Sequence, residues 1–147
     1  MAPGSRKTVV LTGASGTIAG LVLEALRERY YVRALDLRAS DGIEACDLLG
    51  PREAIRPFFA GADAVVHMAF VPPPSGVSSA TTGPGHDSDG GSSADGANEK
   101  LFSAEHRNVE MAFNVFQTAS EEGVSRVVMA SSNHAADYYE ELILDHK

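Results

Sequence analysis

The chain has a single cysteine, Cys46, no cluster of basic residues and no long apolar run, and each lack excludes something. One thiol cannot close a disulfide within the chain, so the fold must rest on its core alone. The 12 Lys and Arg stand against 20 Asp and Glu, a formal net charge of -8, and they are dispersed, which argues against nucleic acid as a partner. No apolar span suits a bilayer and no secretory signal opens the chain, so the expectation is a cytoplasmic protein without membrane contact. The remaining composition is ordinary. With 147 residues, 44% hydrophobic and 22% charged, the chain can build one domain over 1–147 with a real core.

Against that background one segment stands out: Val9-Val10-Leu11-Thr12-Gly13-Ala14-Ser15-Gly16-Thr17-Ile18-Ala19. A β-branched apolar run breaks into a turn of small residues and re-enters a helical pattern. Gly13 permits a tight turn, and Gly16 lets backbone approach a pyrophosphate at a helix N-terminus. Ile18, Val22 and Ala25, joined by Leu21 and Leu26, are expected to form the apolar face of that helix. The spacing is Gly-x-x-Gly-x-x-Ala, and a glycine pattern alone is a weak signal. A second apolar run, Tyr31 to Leu35, adds to it by ending at Asp36, about 20 residues after the turn, where dinucleotide folds place an acid on the adenosine ribose. A carboxylate there repels a 2′-phosphate and favours NAD over NADP. Nearby Arg38 could pair with that phosphate or lie against an adenine.

Strand-like and helix-like segments alternate along the chain, the pattern of a parallel sheet covered on both faces. The expected strands lie near 8–12, 31–36, 43–46, 64–69 and 126–130. Expected helices occupy 16–29, 51–59 with Pro51 at the start, and 98–122. On the long helix Val109, Ala112, Phe113, Phe116 and Ala119 share a helical stripe read as core-facing, with Gly123 as a C-cap. A second stripe, Ala104, Asn108, Met111 and Val115, runs along the same helix. The fold class is therefore a Rossmann-type, doubly wound α/β sheet of about five strands. Residues 71–97 interrupt it: rich in Pro, Gly, Ser, Thr and Asp, they lack the apolar surface to offset their conformational entropy and are expected to be a disordered loop. His86, Asp87 and Asp89 within it are read as solvated, and no metal site is expected. His67, in an apolar strand, is read as a hydrogen-bonded core histidine.

Taken in order, the glycine turn, Asp36, Asp47-Leu48, His67-Met68-Ala69, Asn108 and Ser131-Ser132 resemble the extended short-chain dehydrogenase/reductase family, the NAD-dependent epimerases and dehydratases. Within it, Cys46-Asp47-Leu48 and Ala130-Ser131-Ser132-Asn133-His134 most resemble uronate dehydrogenases and related sugar dehydrogenases. The resemblance implies that Gly13, Ser15, Gly16, Thr17 and Ile18 cradle the cofactor's pyrophosphate, with Ala19 in place of a third glycine. Asp36 would take the ribose, and Asp47 and Leu48 the adenine. Met68, Ala69 and Phe70 would run beside the cofactor's centre, Phe70 being bulkier than is usual there, and Asn108 would support the site through a backbone or water link. Ser132 would be the active-site serine, steadying the charge that develops on the substrate oxygen. Asn133 and His134 would bind a sugar or sugar acid.

In that family the general acid/base is a tyrosine in Tyr-x-x-x-Lys, about 25 residues beyond the serine. None of the four tyrosines here has a lysine four places on: Tyr138 and Tyr139 are followed at that distance by Leu142 and Ile143. The expectation is an NAD-dependent sugar oxidoreductase fold that is incomplete at its C-terminal side and inactive as these 147 residues. The alternative is a non-catalytic NAD-binding module or partner subunit. The resemblance also implies a homodimer through the helix 98–122, with the stripe Ala104, Asn108, Met111 and Val115 as its pairing face; a solvated face is the alternative. Which sugar is bound, and whether the reaction is epimerisation or oxidation, is not written in these residues.

Overall fold

A computed structural model describes residues 6–72 and 93–131. Its elements run β1 (Thr8–Thr12), α1 (Thr17–Arg29), β2 (Tyr31–Asp36), β3 (Glu44–Ala45), α2 (Arg52–Phe59), β4 (Ala64–His67), α3 (Ser93–Glu121) and β5 (Arg126–Met129). The strands form one sheet in the order β3-β2-β1-β4-β5, every neighbour pair parallel. Chain order reverses at β1: β2 lies on one side of it and β4 on the other. The crevice that a doubly wound sheet offers a ligand therefore opens above the C-terminal ends of β1 and β4.

The β-branched and leucine runs become strands because both faces of the sheet are covered. Val9, Val10, Leu11, Ala34, Leu35 and Val65 are buried. On one face, Val10, Leu35 and Val65 pack with Ile55 and Phe59 of α2 and Met111, Val115 and Ala119 of α3. On the other, Leu11, Ala14 and Ala34 pack with Leu23 of α1. The element types and order match the sequence reading, with β4 ending at His67 in place of Ala69. The long helix begins at Ser93, inside the segment read as loop, while 73–92 lie outside the described residues.

Two helix faces differ from expectation. On α1 the buried residues are Ala19 and Leu23, with Val22 and Leu26 half-buried, whereas Ile18 and Leu21 are 68% and 74% exposed and Ala25 is exposed too. The segment carries two overlapping apolar stripes. The turn selects between them, because Ala14 and Ala19 are small enough to let α1 sit close on the sheet.

On α3 the two stripes largely exchange roles, although Ala119 of the first is buried as read and Ala112 is half-buried. Ala104, Met111 and Val115 are buried with Ala119, so the face read as a pairing surface belongs to the chain's own core. Val109, Phe113 and Phe116, read as core, are 68%, 60% and 45% exposed. Two asparagines set this phase: Asn114 Nδ2 donates to Leu48 O at 2.8 Å, and Asn108 bonds the backbone of Val71. Both flank the Met111–Val115 stripe, and satisfying them turns the aromatics outward.

Candidate functional site

A cavity of about 590 Å³ lies at the C-terminal ends of β1, β2 and β4, large enough for a dinucleotide. One side of it is the turn after β1. Gly13 has φ +72°, a conformation costly for any residue with a Cβ. A Cβ there would also meet Ala69 Cα and N at 2.6 Å, so the turn packs directly on the segment leaving β4. That contact is fixed from below. Met68 N donates to Thr12 O, and Thr12 Oγ1 shares a 2.7 Å hydrogen bond with His67 Nδ1.

His67 is thus the bonded core histidine its strand suggested, and burial pushes its pKa below the ordinary value. Helix α1 starts after Gly16 with no side-chain cap and no acid in its first turn. The first N–H groups of a helix carry partial positive charge and no intrahelical partner, which makes such a terminus suitable for an anion.

Asp36 closes β2 beside the turn. Its Oδ2 accepts from Ser15 Oγ at 2.6 Å and Ser15 N at 3.0 Å, and its Oδ1 accepts from Leu37 N at 2.7 Å. Burial by itself raises this carboxyl's pKa, but the three donors outweigh it and hold the group below its usual value. Asp36 is therefore an ionised, pre-oriented acceptor. At the same end, Asp47 Oδ1 accepts from Leu49 N, which presents Asp47 and Leu48 along the wall. Cys46 is buried there, its thiol pushed up to about 11 by desolvation and by Asp47.

Of the residues singled out from sequence, Gly13, Ser15, Gly16, Asp36, Asp47, Leu48, Met68, Ala69 and Phe70 line this one cavity. Thr17 and Ile18 stand just behind it in the first turn of α1. Asn108 is not a wall residue. Its Oδ1 accepts from Val71 N at 2.7 Å and its Nδ2 donates to Val71 O at 3.0 Å, which fixes the rim to α3 through the backbone. Ser132, Asn133 and His134 lie outside the described residues, as do His86, Asp87 and Asp89. The sequence reading missed Arg107, which lines the cavity from α3 beside Val71 and Met111. Only the heptad-like spacing from buried residues could have pointed to it, and that spacing was read in the wrong phase. Among the described residues no group of His, Cys, Asp and Glu is arranged to hold a metal, and no helix is long and apolar enough to cross a membrane.

No family model matches the chain. Among curated proteins it is 26% identical over 141 residues to a uronate dehydrogenase of Pseudomonas syringae pv. tomato, which covers 90% of this chain and 42% of the relative. It is also 26% identical over 132 residues to an L-arabinose 1-dehydrogenase (NAD(P)(+)) of Haloferax volcanii, covering 89% and 43%. Among solved structures it superposes on a short-chain dehydrogenase/reductase superfamily protein of Agrobacterium tumefaciens with bound NAD. The TM-score is 0.57, the identity 26%, and the match covers 85% of this chain and 32% of that one. The chain is thus a homologue of these dehydrogenases and shares their Rossmann-type fold, and it spans about two fifths of the length of the curated relatives it matches.

Proposed function

We propose that this chain forms the NAD-binding part of an oxidoreductase acting on a sugar or sugar acid. The observation that carries the reading is the joint geometry of Gly13 and Asp36. One cavity has a turn that only glycine fits, an uncapped helix start for a pyrophosphate, and an ionised carboxylate oriented for ribose hydroxyls. Gly13, Ser15, Gly16, Thr17 and Ile18 would surround the pyrophosphate, Asp36 the ribose, and Asp47 and Leu48 the adenine. Met68, Ala69 and Phe70 would lie along the cofactor's middle. When bound, NAD supplies the hydride acceptor. The chain's own part is to orient it and to shield one side from water. The uronate and arabinose dehydrogenase relatives support a sugar-type substrate, with Ser132, Asn133 and His134 as the residues proposed to meet it.

Because the 147 residues contain no Tyr-x-x-x-Lys, we propose that this chain by itself binds NAD without turnover. Titration calorimetry with NAD and NADP is the test, expected to show NAD bound and NADP disfavoured. Asp36→Ala should weaken NAD by at least about tenfold, the worth of a hydrogen-bonded charge. Failure of the unaltered protein to bind NAD overturns the reading. Formation of NADH from a uronic acid by the pure 147-residue protein overturns the inactive-module part alone.

The homodimer belongs to this proposal with its face corrected. Phe102, Val109 and Phe116 recur every seven residues on the exposed side of α3, and Phe113 lies beside them. Light scattering at micromolar concentration should give a dimer that Phe113→Glu with Phe116→Glu converts to monomer. A monomer from the unaltered protein rejects it. A cytoplasmic location is proposed with the NAD reading.

A further inference from the structure

We infer that Arg107 is the cation that pairs with the phosphates of the dinucleotide, a role that rests on the NAD-binding reading above. The cavity wall carries two carboxylates, Asp36 and Asp47, and a pyrophosphate would bring further negative charge. Among the described residues that line it, Arg107 is the one Lys or Arg. Arg38, the cation that the sequence pattern drew attention to, is exposed and does not line it.

The position of Arg107 is set on both sides along α3. The next residue, Asn108, is tied to Val71 N and O, and Met111, one turn on, is buried in the core with Leu48. Arg107 therefore stands on α3 next to the residue that holds the Val71 rim, and it lines the same cavity as Gly13, Ser15 and Gly16 of the turn. Among the described residues no carboxylate forms an ion pair with it. The ion pairs among the described residues are Arg27–Glu24, Arg52–Glu121 and Arg56–Glu122, and Arg107 is in none of them. The two wall carboxylates already accept hydrogen bonds from Ser15, Leu37 and Leu49. The turn offers backbone dipoles to a phosphate, and Arg107 offers a full charge in the same cavity. Arginine suits this task because its planar fork matches two phosphate oxygens at once.

The test is a set of binding titrations of the full natural chain and its Arg107→Ala and Arg107→Lys variants with NAD, ADP-ribose and adenosine. Arg107 is exposed, so thermal unfolding of both variants should match the unaltered protein. Arg107→Ala is expected to lose about tenfold in affinity for NAD and ADP-ribose and nothing for adenosine, which has no phosphate. Arg107→Lys should recover part of the loss, and added salt should weaken ADP-ribose more in the unaltered protein than in Arg107→Ala. Equal affinity of Arg107→Ala and the unaltered protein for ADP-ribose overturns the proposal. An equal loss for adenosine also overturns it, since the arginine would then act on the base or the wall. If NAD binds and only this pattern fails, the cofactor reading stands without Arg107. If the unaltered protein binds none of the three, both fall.

Discussion

The two ends of the cavity are built differently. At the β2–β3 end, Leu35, Cys46 and Leu48 are buried, Met111 closes in from α3, and Asp36 and Asp47 are pinned by backbone and side-chain donors. At the β4 end, Phe70 is 61% exposed, and across the turn Ile18 and Leu21 stand in solvent. The first end is a piece of the hydrophobic core that happens to have a ligand-facing wall. The second is an apolar margin without a covering layer among the described residues. The adenosine site proposed here comes with the fold, because the same side chains that hold β2, β3 and α3 together also shape it. The β4 end contributes less to the core: Ala69 and Val71 pack on its edge only partly buried, as does Met68 on the other face.

That contrast can be broken by substitution. The largest expected effect is at Leu48, where Leu48→Ala should cost about 2–5 kcal/mol in denaturant unfolding, as for other buried leucines, and weaken NAD as well. Phe70→Ala at the open end should change stability by less than about 0.5 kcal/mol. Similar costs at both positions would erase the distinction. Next in size is a pair of glycines with the same backbone and different surroundings. Gly61, φ +68°, has open space around its missing Cβ, whereas Gly13, φ +72°, faces Ala69 at 2.6 Å. Gly61→Ala should cost about 1–2 kcal/mol from conformation alone, and Gly13→Ala about 1–3 kcal/mol more from the clash, with loss of NAD binding. Equal costs would mean that the turn can move away from β4.

The smallest effect concerns the floor between the two ends, where His67 bonds Thr12. Its folded pKa lies below the ordinary 6.5, so the unfolded chain takes up its proton first as pH falls. The stability that neutral His67 contributes is complete above about pH 6.5 and is lost as pH drops from there toward the folded value. The slope is at most about 1.4 kcal/mol per pH unit for one proton. Thermal unfolding between pH 7.5 and 5 should therefore flatten in His67→Asn relative to the unaltered protein. An unchanged slope would show that His67 gains a compensating partner when charged.

The parts of the fold that could be read directly were those whose signal is local. Val9 to Leu11 become a strand and Gly13 to Gly16 a turn because apolar β-branched residues and a glycine at positive φ each restrict the backbone within a few residues. Asp36 was legible for a similar reason, being the polar residue that ends an apolar strand at the right distance from the turn. The faces of α1 and α3 were not. Each helix carries two apolar stripes, and periodicity describes both equally well. Asn108 was legible as a helix residue with a backbone link, though its partner, Val71, belongs to a stretch whose composition reads as loop.

The sequence by itself determined the alternation of strand and helix, the glycine turn and the acid at the end of β2, because backbone restriction and apolar patterning act at short range. Only the tertiary structure decided which stripe of each helix is buried, since that depends on which side chains find partners 37 and 66 residues away, as Asn108 does at Val71 and Asn114 at Leu48. It also decided that Arg107, with nothing local to distinguish it, is the one Lys or Arg among the described residues that lines the cavity.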